Sequence, residues 1–90
     1  MESYEEIEFG VRYALYKLIK GAKGTMITFT PKRIAVLGGL STKPVVLSIV
    51  RHILEEYREK GWISLYKKTS HGYRYQITRD SPLWERLKKK

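Results

Sequence analysis

No cysteine occurs among the 90 residues. That excludes a disulfide framework, a thiolate zinc site, an iron–sulfur cluster and a cysteine nucleophile. No apolar run approaches the roughly 18 residues that a membrane span requires. The acidic opening with Glu2, Glu5, Glu6 and Glu8 is unlike a signal peptide. A soluble, cytoplasmic protein without membrane contact is therefore expected. Asparagine is absent, glutamine occurs once (Gln76) and aspartate once (Asp80). Scarce thermolabile residues beside abundant Lys, Glu, Arg and Tyr fit a thermophile.

The same scarcity argues against catalysis. His52 and His71 fall in different segments with no carboxylate at ligand spacing, so no metal pair forms. Asp80 is placed to cap a helix, which leaves no Ser–His–Asp set. No Gly-rich phosphate loop of the nucleotide-binding type is present. Neither an enzyme nor a bound cofactor is expected.

Acids are missing from two long stretches, and that is where the charge becomes informative. Between Phe9 and Leu54 there are eight basic residues and no acid, and from Lys60 to Arg79 five more, again with none. The net charge is +9 with a pI near 9.9. A segmental basic field of this kind favours a polyanionic partner. Ninety residues make a single small domain that buries about 60–65% of its unfolded surface.

Proline occurs three times, each time where a helix is expected to start. Ser3-Tyr4-Glu5-Glu6 has capping-box form, and Ile7, Val11, Ala14, Leu15 and Leu18 follow at helical spacing up to Gly21. Phe9, Tyr13 and Tyr16 lie almost opposite that stripe. Thr25 to Phe29 is β-branched and aromatic, and reads as a strand. Thr30-Pro31 supplies an N-cap and N1 proline for a short helix that ends at Gly38-Gly39. Ser41-Thr42-Lys43-Pro44 starts a third helix running to Gly61, with Val46, Val50, Ile53, Leu54 and Tyr57 as its core stripe. Trp62 to Lys67 and Tyr73 to Thr78 alternate as two strands joined by a Lys68–Gly72 loop. Asp80-Ser81-Pro82 caps a final helix carrying Leu83, Trp84 and Leu87.

Helix, strand, helix, helix and hairpin in that order resemble the winged helix-turn-helix family. Ile34-Ala35-Val36-Leu37-Gly38-Gly39-Leu40-Ser41 is similar to the alanine, leucine-glycine, leucine-serine pattern around the family's helix-turn-helix. Lys60-Gly61-Trp62-Ile63 resembles the exit from its recognition helix, and Tyr73-Arg74-Tyr75-Gln76-Ile77-Thr78 its closing wing strand. The resemblance covers about Ser3 to Thr78. It implies an α+β winged-helix domain over residues 1–79, with a three-helix core, a short strand and a two-stranded wing. A short helix and basic tail would occupy 80–90.

The resemblance further implies a double-stranded DNA-binding protein, most simply a small prokaryotic or archaeal transcriptional regulator associated with the nucleoid. Its third helix would lie in the major groove and its wing on the backbone. The DNA contacts implied are Ser41, Thr42, Lys43, Ser48, Arg51 and His52 on the helix, and Lys67, Lys68, Thr69, Ser70, His71 and Arg74 on the wing. Lys32 and Arg33 would anchor phosphates at the start of the second helix. An aromatic stripe of Phe9, Tyr13 and Tyr16 facing water is unusual for a monomer. Either the Leu83-Trp84-Leu87 helix folds back on it, or a second subunit covers it. The resemblance favours the second, with Phe9, Tyr13, Tyr16, Leu83, Trp84 and Leu87 forming an interface with a second copy or another protein. The alternative is a protein-interaction accessory subunit of replication or transcription machinery on the same fold. Binding to structured RNA is a third reading.

Overall fold

Each helix start is written in local hydrogen bonds. In the computed structural model, which describes residues 3–70 and 72–89, Ser3 Oγ accepts the Glu6 amide at 3.2 Å and opens α1 (Tyr4–Lys20). Thr30 Oγ1 accepts the Arg33 amide at 3.2 Å and opens α2 (Pro31–Leu37). The third helix, α3 (Pro44–Glu59), has Lys43 at its N-cap and no side-chain cap. Ser41 Oγ instead accepts the Lys43 amide before the helix begins. At α4 (Pro82–Lys88) the cap is Ser81 rather than the expected Asp80: Ser81 Oγ accepts the Leu83 amide and donates to the Trp62 carbonyl. That second bond ties α4 to the exit from α3.

Three strands form one antiparallel sheet in the order β1-β3-β2, with β1 at Met26–Phe29, β2 at Ser64–Thr69 and β3 at Gly72–Thr78. The central strand β3 pairs Ile77 with Ile27 and Tyr75 with both Phe29 and Leu65. Strand β2 starts two residues later than expected. Trp62 stays outside it and packs its ring against Tyr57, 5.1 Å between centroids. The hairpin strands also run further than expected, since Lys68, Thr69 and Gly72 belong to the ladder rather than to a loop. A register shift between Leu65 and Lys67 inserts a bulge.

The core stripes of α1 and α3 fall where spacing put them, except that Ile19 is buried and Leu18 only half-buried. They meet Phe29, Ile34, Ile63, Tyr75 and Ile77 in one cluster. Leu83, Trp84 and Leu87 belong to that cluster too, at 2%, 3% and 6% exposure. This corrects their assignment to an intermolecular interface: α4 folds back and buries them inside the chain's own core. For the same reason residues 80–89 are not a separate unit. Among the described residues no helix is long and apolar enough to cross a membrane.

Where α1 crosses α2 the backbones nearly touch. A Cβ on Gly38 would collide with the Gly10 carbonyl, and one on Gly10 would press into the Leu40 side chain. Gly39, with φ at +71°, then turns the chain out of α2 so that the Leu40 amide reaches back to the Ala35 carbonyl. This left-handed helix end needs a glycine. Gly10 looks like a flaw in α1 until the crossing is seen.

Candidate nucleic-acid interface

The N-terminal end of α2, one flank of α3 and the turn end of the hairpin enclose a groove of about 510 Å³. Lys32, Arg51 and Arg74 line it, with Ser48 and the hydroxyls of Thr30 and Thr69 between them. Among the described residues no carboxylate lines this groove. Arg51 is held in place: its guanidinium lies over the Tyr73 ring, 4.0 Å from the centroid. Lys68 Nζ approaches the same ring at 5.5 Å. Arg74 Nη1 donates to Thr28 Oγ1 at 3.4 Å. A cation resting on an aromatic face loses little hydration and keeps its remaining donors for a ligand.

The bulge decides how the hairpin presents its charge. Lys67 pairs with Arg74 and Lys68 with Tyr73. Successive strand residues point to opposite faces, so Lys67 and Arg74 share the face of Gln76 and Thr28. Lys68 and Tyr73 share the other, toward α3. The basic hairpin thus offers cations on both faces, at positions that are exposed.

No family model, curated protein or solved structure matches this chain.

Of the residues singled out from sequence, five meet in the groove: Lys32, Ser48, Arg51, Thr69 and Arg74. Lys67, Lys68 and Ser70 are exposed along the hairpin, and Arg33 and Thr42 are exposed on the flanking elements. His71 lies outside the described residues. Three expected contacts are drawn elsewhere. Ser41 and Lys43 line a different cleft, with Glu6 and Val45, between the N-terminal ends of α1 and α3. His52 sits on the α1 side of α3, its Nε2 3.6 Å from Glu56 Oε1. A helix turns 100° per residue, so Arg51 and His52 leave α3 on different flanks, and only the first faces the hairpin.

Two of the three acids of α3, Glu55 and Glu56, are occupied within the chain, and Glu59 lies exposed at its C-terminal end. Glu55 Oε1 accepts from Arg58 Nη1 at 3.2 Å, and its Oε2 accepts from the Tyr75 hydroxyl at 2.6 Å. Glu56 accepts from the Tyr4 hydroxyl at 2.6 Å. Burial first, and then the bond to Glu55, push the Tyr75 phenol well above its ordinary value. The bond to Glu56 pushes Tyr4 up to about 12. Burial raises Tyr57 as well, against the opposing pull of Arg12, whose Nε donates to the Tyr57 hydroxyl at 3.2 Å. All three phenols therefore stay protonated at neutral pH, Tyr4 and Tyr75 as donors and Tyr57 as an acceptor. The N-terminal half of α3 is left as the half with no carboxylate on its surface.

Tyr73 is the residue that reading the hairpin by charge undervalued. It was recognised as an aromatic in a basic turn, yet it is the platform that carries Arg51. The signal was available: Tyr73 shares strand parity with Tyr75 and Ile77, which are buried at 0% and 1% exposure, so it had to face α3.

Proposed function

We propose that this chain is a winged-helix protein that binds double-stranded DNA, acting most simply as a transcriptional regulator. The N-terminal half of α3 enters the major groove, and Lys32, Lys67, Lys68 and Arg74 contact the phosphate backbone. The reading rests on one observation above the rest: three cations from three separate elements line a single carboxylate-free groove, with Arg51 seated on Tyr73. Contacts of this type fix register on a duplex, whereas base discrimination needs side chains at base edges. Arg51 is the only groove cation on α3, so sequence preference rests on it. The element order and the sheet order β1-β3-β2 are compatible with a winged helix.

Fluorescence anisotropy with a 20-base-pair duplex over a salt series tests the proposal. If about six phosphates are neutralised, log affinity falls against log salt with a slope near −5. Absence of binding at low salt, or affinity indifferent to salt, refutes it. The Lys67→Ala/Lys68→Ala/Arg74→Ala variant weakens all sequences alike, while Arg51→Ala changes the ranking of sequences.

A second reading, a protein-interaction subunit on the same fold, is favoured by the outer face of α1. Phe9 is 72% exposed and Tyr13 44%, with Tyr16 half-buried beside them. Large apolar side chains in that exposure mark contact surfaces. Glu5 and Glu6 stand at one end of this face and Lys17 at the other, so a second copy running antiparallel meets opposite charges. One stoichiometric protein partner recovered with the chain, together with weak duplex binding by the chain alone, selects this reading over the first.

A further inference from the structure

A second cleft, of about 490 Å³, opens at the opposite end of the sheet. Lys20 at the end of α1, Lys23 before β1, Arg79 after β3 and Lys88 at the end of α4 line it, with Tyr16 and Trp84. Among the described residues the ion pairs are His52–Glu56 and Arg58–Glu55, both on α3, so none of these four cations has a carboxylate partner. Gly24 lines this cleft and Thr30 the α3–hairpin groove. Extended chain rises about 3.4 Å per residue, which puts the two roughly 20 Å apart. That exceeds the Debye length of about 8 Å at physiological salt. The cleft is electrostatically separate from the groove.

Two helix C-termini, those of α1 and α4, converge here, and cations at a helix C-terminus answer the helix dipole. The magnitudes show that this explanation is insufficient. Each terminus carries about −0.5 of a charge, so two offset about one of the four cations. About three positive charges remain around one cavity. A second observation is independent of charge. Trp84 is 3% exposed and lines the cleft, and its Nε1–H is buried with no hydrogen-bond partner. A buried indole N–H ordinarily finds an acceptor. The cleft therefore offers ammonium and guanidinium donors and no acidic side chain, with the unpaired Trp84 indole in its wall.

We propose that this cleft binds a multivalent phosphoryl anion, with Lys20, Lys23, Arg79 and Lys88 neutralising it beside the buried Trp84 indole. The residual charge exceeds what a single phosphate neutralises, so the ligand carries two or more linked phosphates. Its source is either a free oligophosphate or the backbone of a nucleic-acid segment other than the one at the groove. The proposal stands whether or not the groove binds DNA.

The test is a titration of inorganic tripolyphosphate at constant ionic strength, followed by the Trp84 indole ¹H–¹⁵N resonance. Trp84→Phe assigns that resonance, and the indole of Trp62 reports that the protein stays folded. The Trp84 signal is expected to move and saturate. Lys23→Gln/Arg79→Gln weakens the response at least tenfold, whereas Lys32→Gln/Arg74→Gln leaves it within twofold. A Trp84 signal that does not respond, or equal losses in the two variants, overturns the proposal. A 20-base-pair duplex added to the Lys32→Gln/Arg74→Gln protein separates the sources. A Trp84 response to it assigns the backbone, and a response to tripolyphosphate alone assigns the free anion.

Discussion

The two ends of α2 lie in opposite surroundings. At its C-terminal end, Gly38 brings the backbone against the Gly10 carbonyl of α1 with no room for a methyl group. At its N-terminal end, Thr30 and Lys32 line an open groove of about 510 Å³ with Ser48, Arg51 and Arg74. Seven residues separate a contact that tolerates nothing from an open groove lined by cations. The close end fixes the pitch of α2 against α1, and thereby where Lys32 stands relative to α3. Stability and binding are thus concentrated at different ends of one short helix, and substitutions should separate them.

The largest effect is expected at the closed end. Gly38→Ala forces a methyl group into backbone, which cannot yield as a side chain does, and should cost about 3 kcal/mol. For a chain of this size that lowers the melting temperature by roughly 15 °C. Gly10→Ala meets only the Leu40 side chain, which can rotate away, so its cost should be clearly smaller. Thermal unfolding of the pair decides the matter, and equal losses would show that the crossing is not set by Gly38.

Between the two ends lies Tyr75, which stacks on Phe29 at 6.2 Å and bonds Glu55 below the groove. Tyr75→Phe removes a hydrogen bond to a charged group and should cost about 2 kcal/mol. Its pH dependence has a definite sign. The folded state holds the phenol above its ordinary value of 10.0, so the neutral form is the one that folding favours. The associated stability is complete below pH 10 and is lost as pH rises toward the folded value. Melting temperature should therefore fall above pH 10 in the parent chain, and less steeply in Tyr75→Phe.

At the open end, Arg51→Ala should weaken duplex binding about tenfold, equivalent to about 1.4 kcal/mol. Arg51 is exposed and its ring contact is worth only about 0.5–1 kcal/mol, so the melting temperature should change little. Tyr73→Leu keeps the apolar packing but removes the platform. It should reproduce part of the binding loss with Arg51 still present. Anisotropy titrations beside melting curves separate these outcomes, and binding unchanged in Tyr73→Leu would mean that Arg51 needs no support.

Signals carried by a few neighbouring residues were legible in the sequence. Ser3 and Thr30 mark helix starts through bonds within one turn, and the three prolines through their fixed φ and missing N–H. The alternation Ile63, Leu65 and Tyr75, Ile77 marks a sheet face. What escaped depends on residues distant along the chain. Gly10 has no meaning until α2 crosses it. Leu83, Trp84 and Leu87 form an apolar stripe that a partner or the chain's own core could equally cover, and only the Ser81–Trp62 bond and the fold-back of α4 decide between them. The bulge between Leu65 and Lys67 moves Lys67 across the sheet, and no local pattern announces it. The resemblance grouped Ser48, Arg51 and His52 as contacts of one helix, yet the hairpin on one side and α1 on the other divide them.

The smallest expected change in stability is on the exposed face of α1. Phe9 is 72% exposed, so Phe9→Ser removes little packing within the chain and should shift stability by less than about 0.5 kcal/mol. Its consequence lies in association. If α1 meets a second copy, the solution mass of the parent chain rises with concentration, and Phe9→Ser keeps it at the monomer value. Sedimentation measured across a hundredfold concentration range makes the comparison. A parent chain that stays monomeric throughout removes the second copy as the cover for this face.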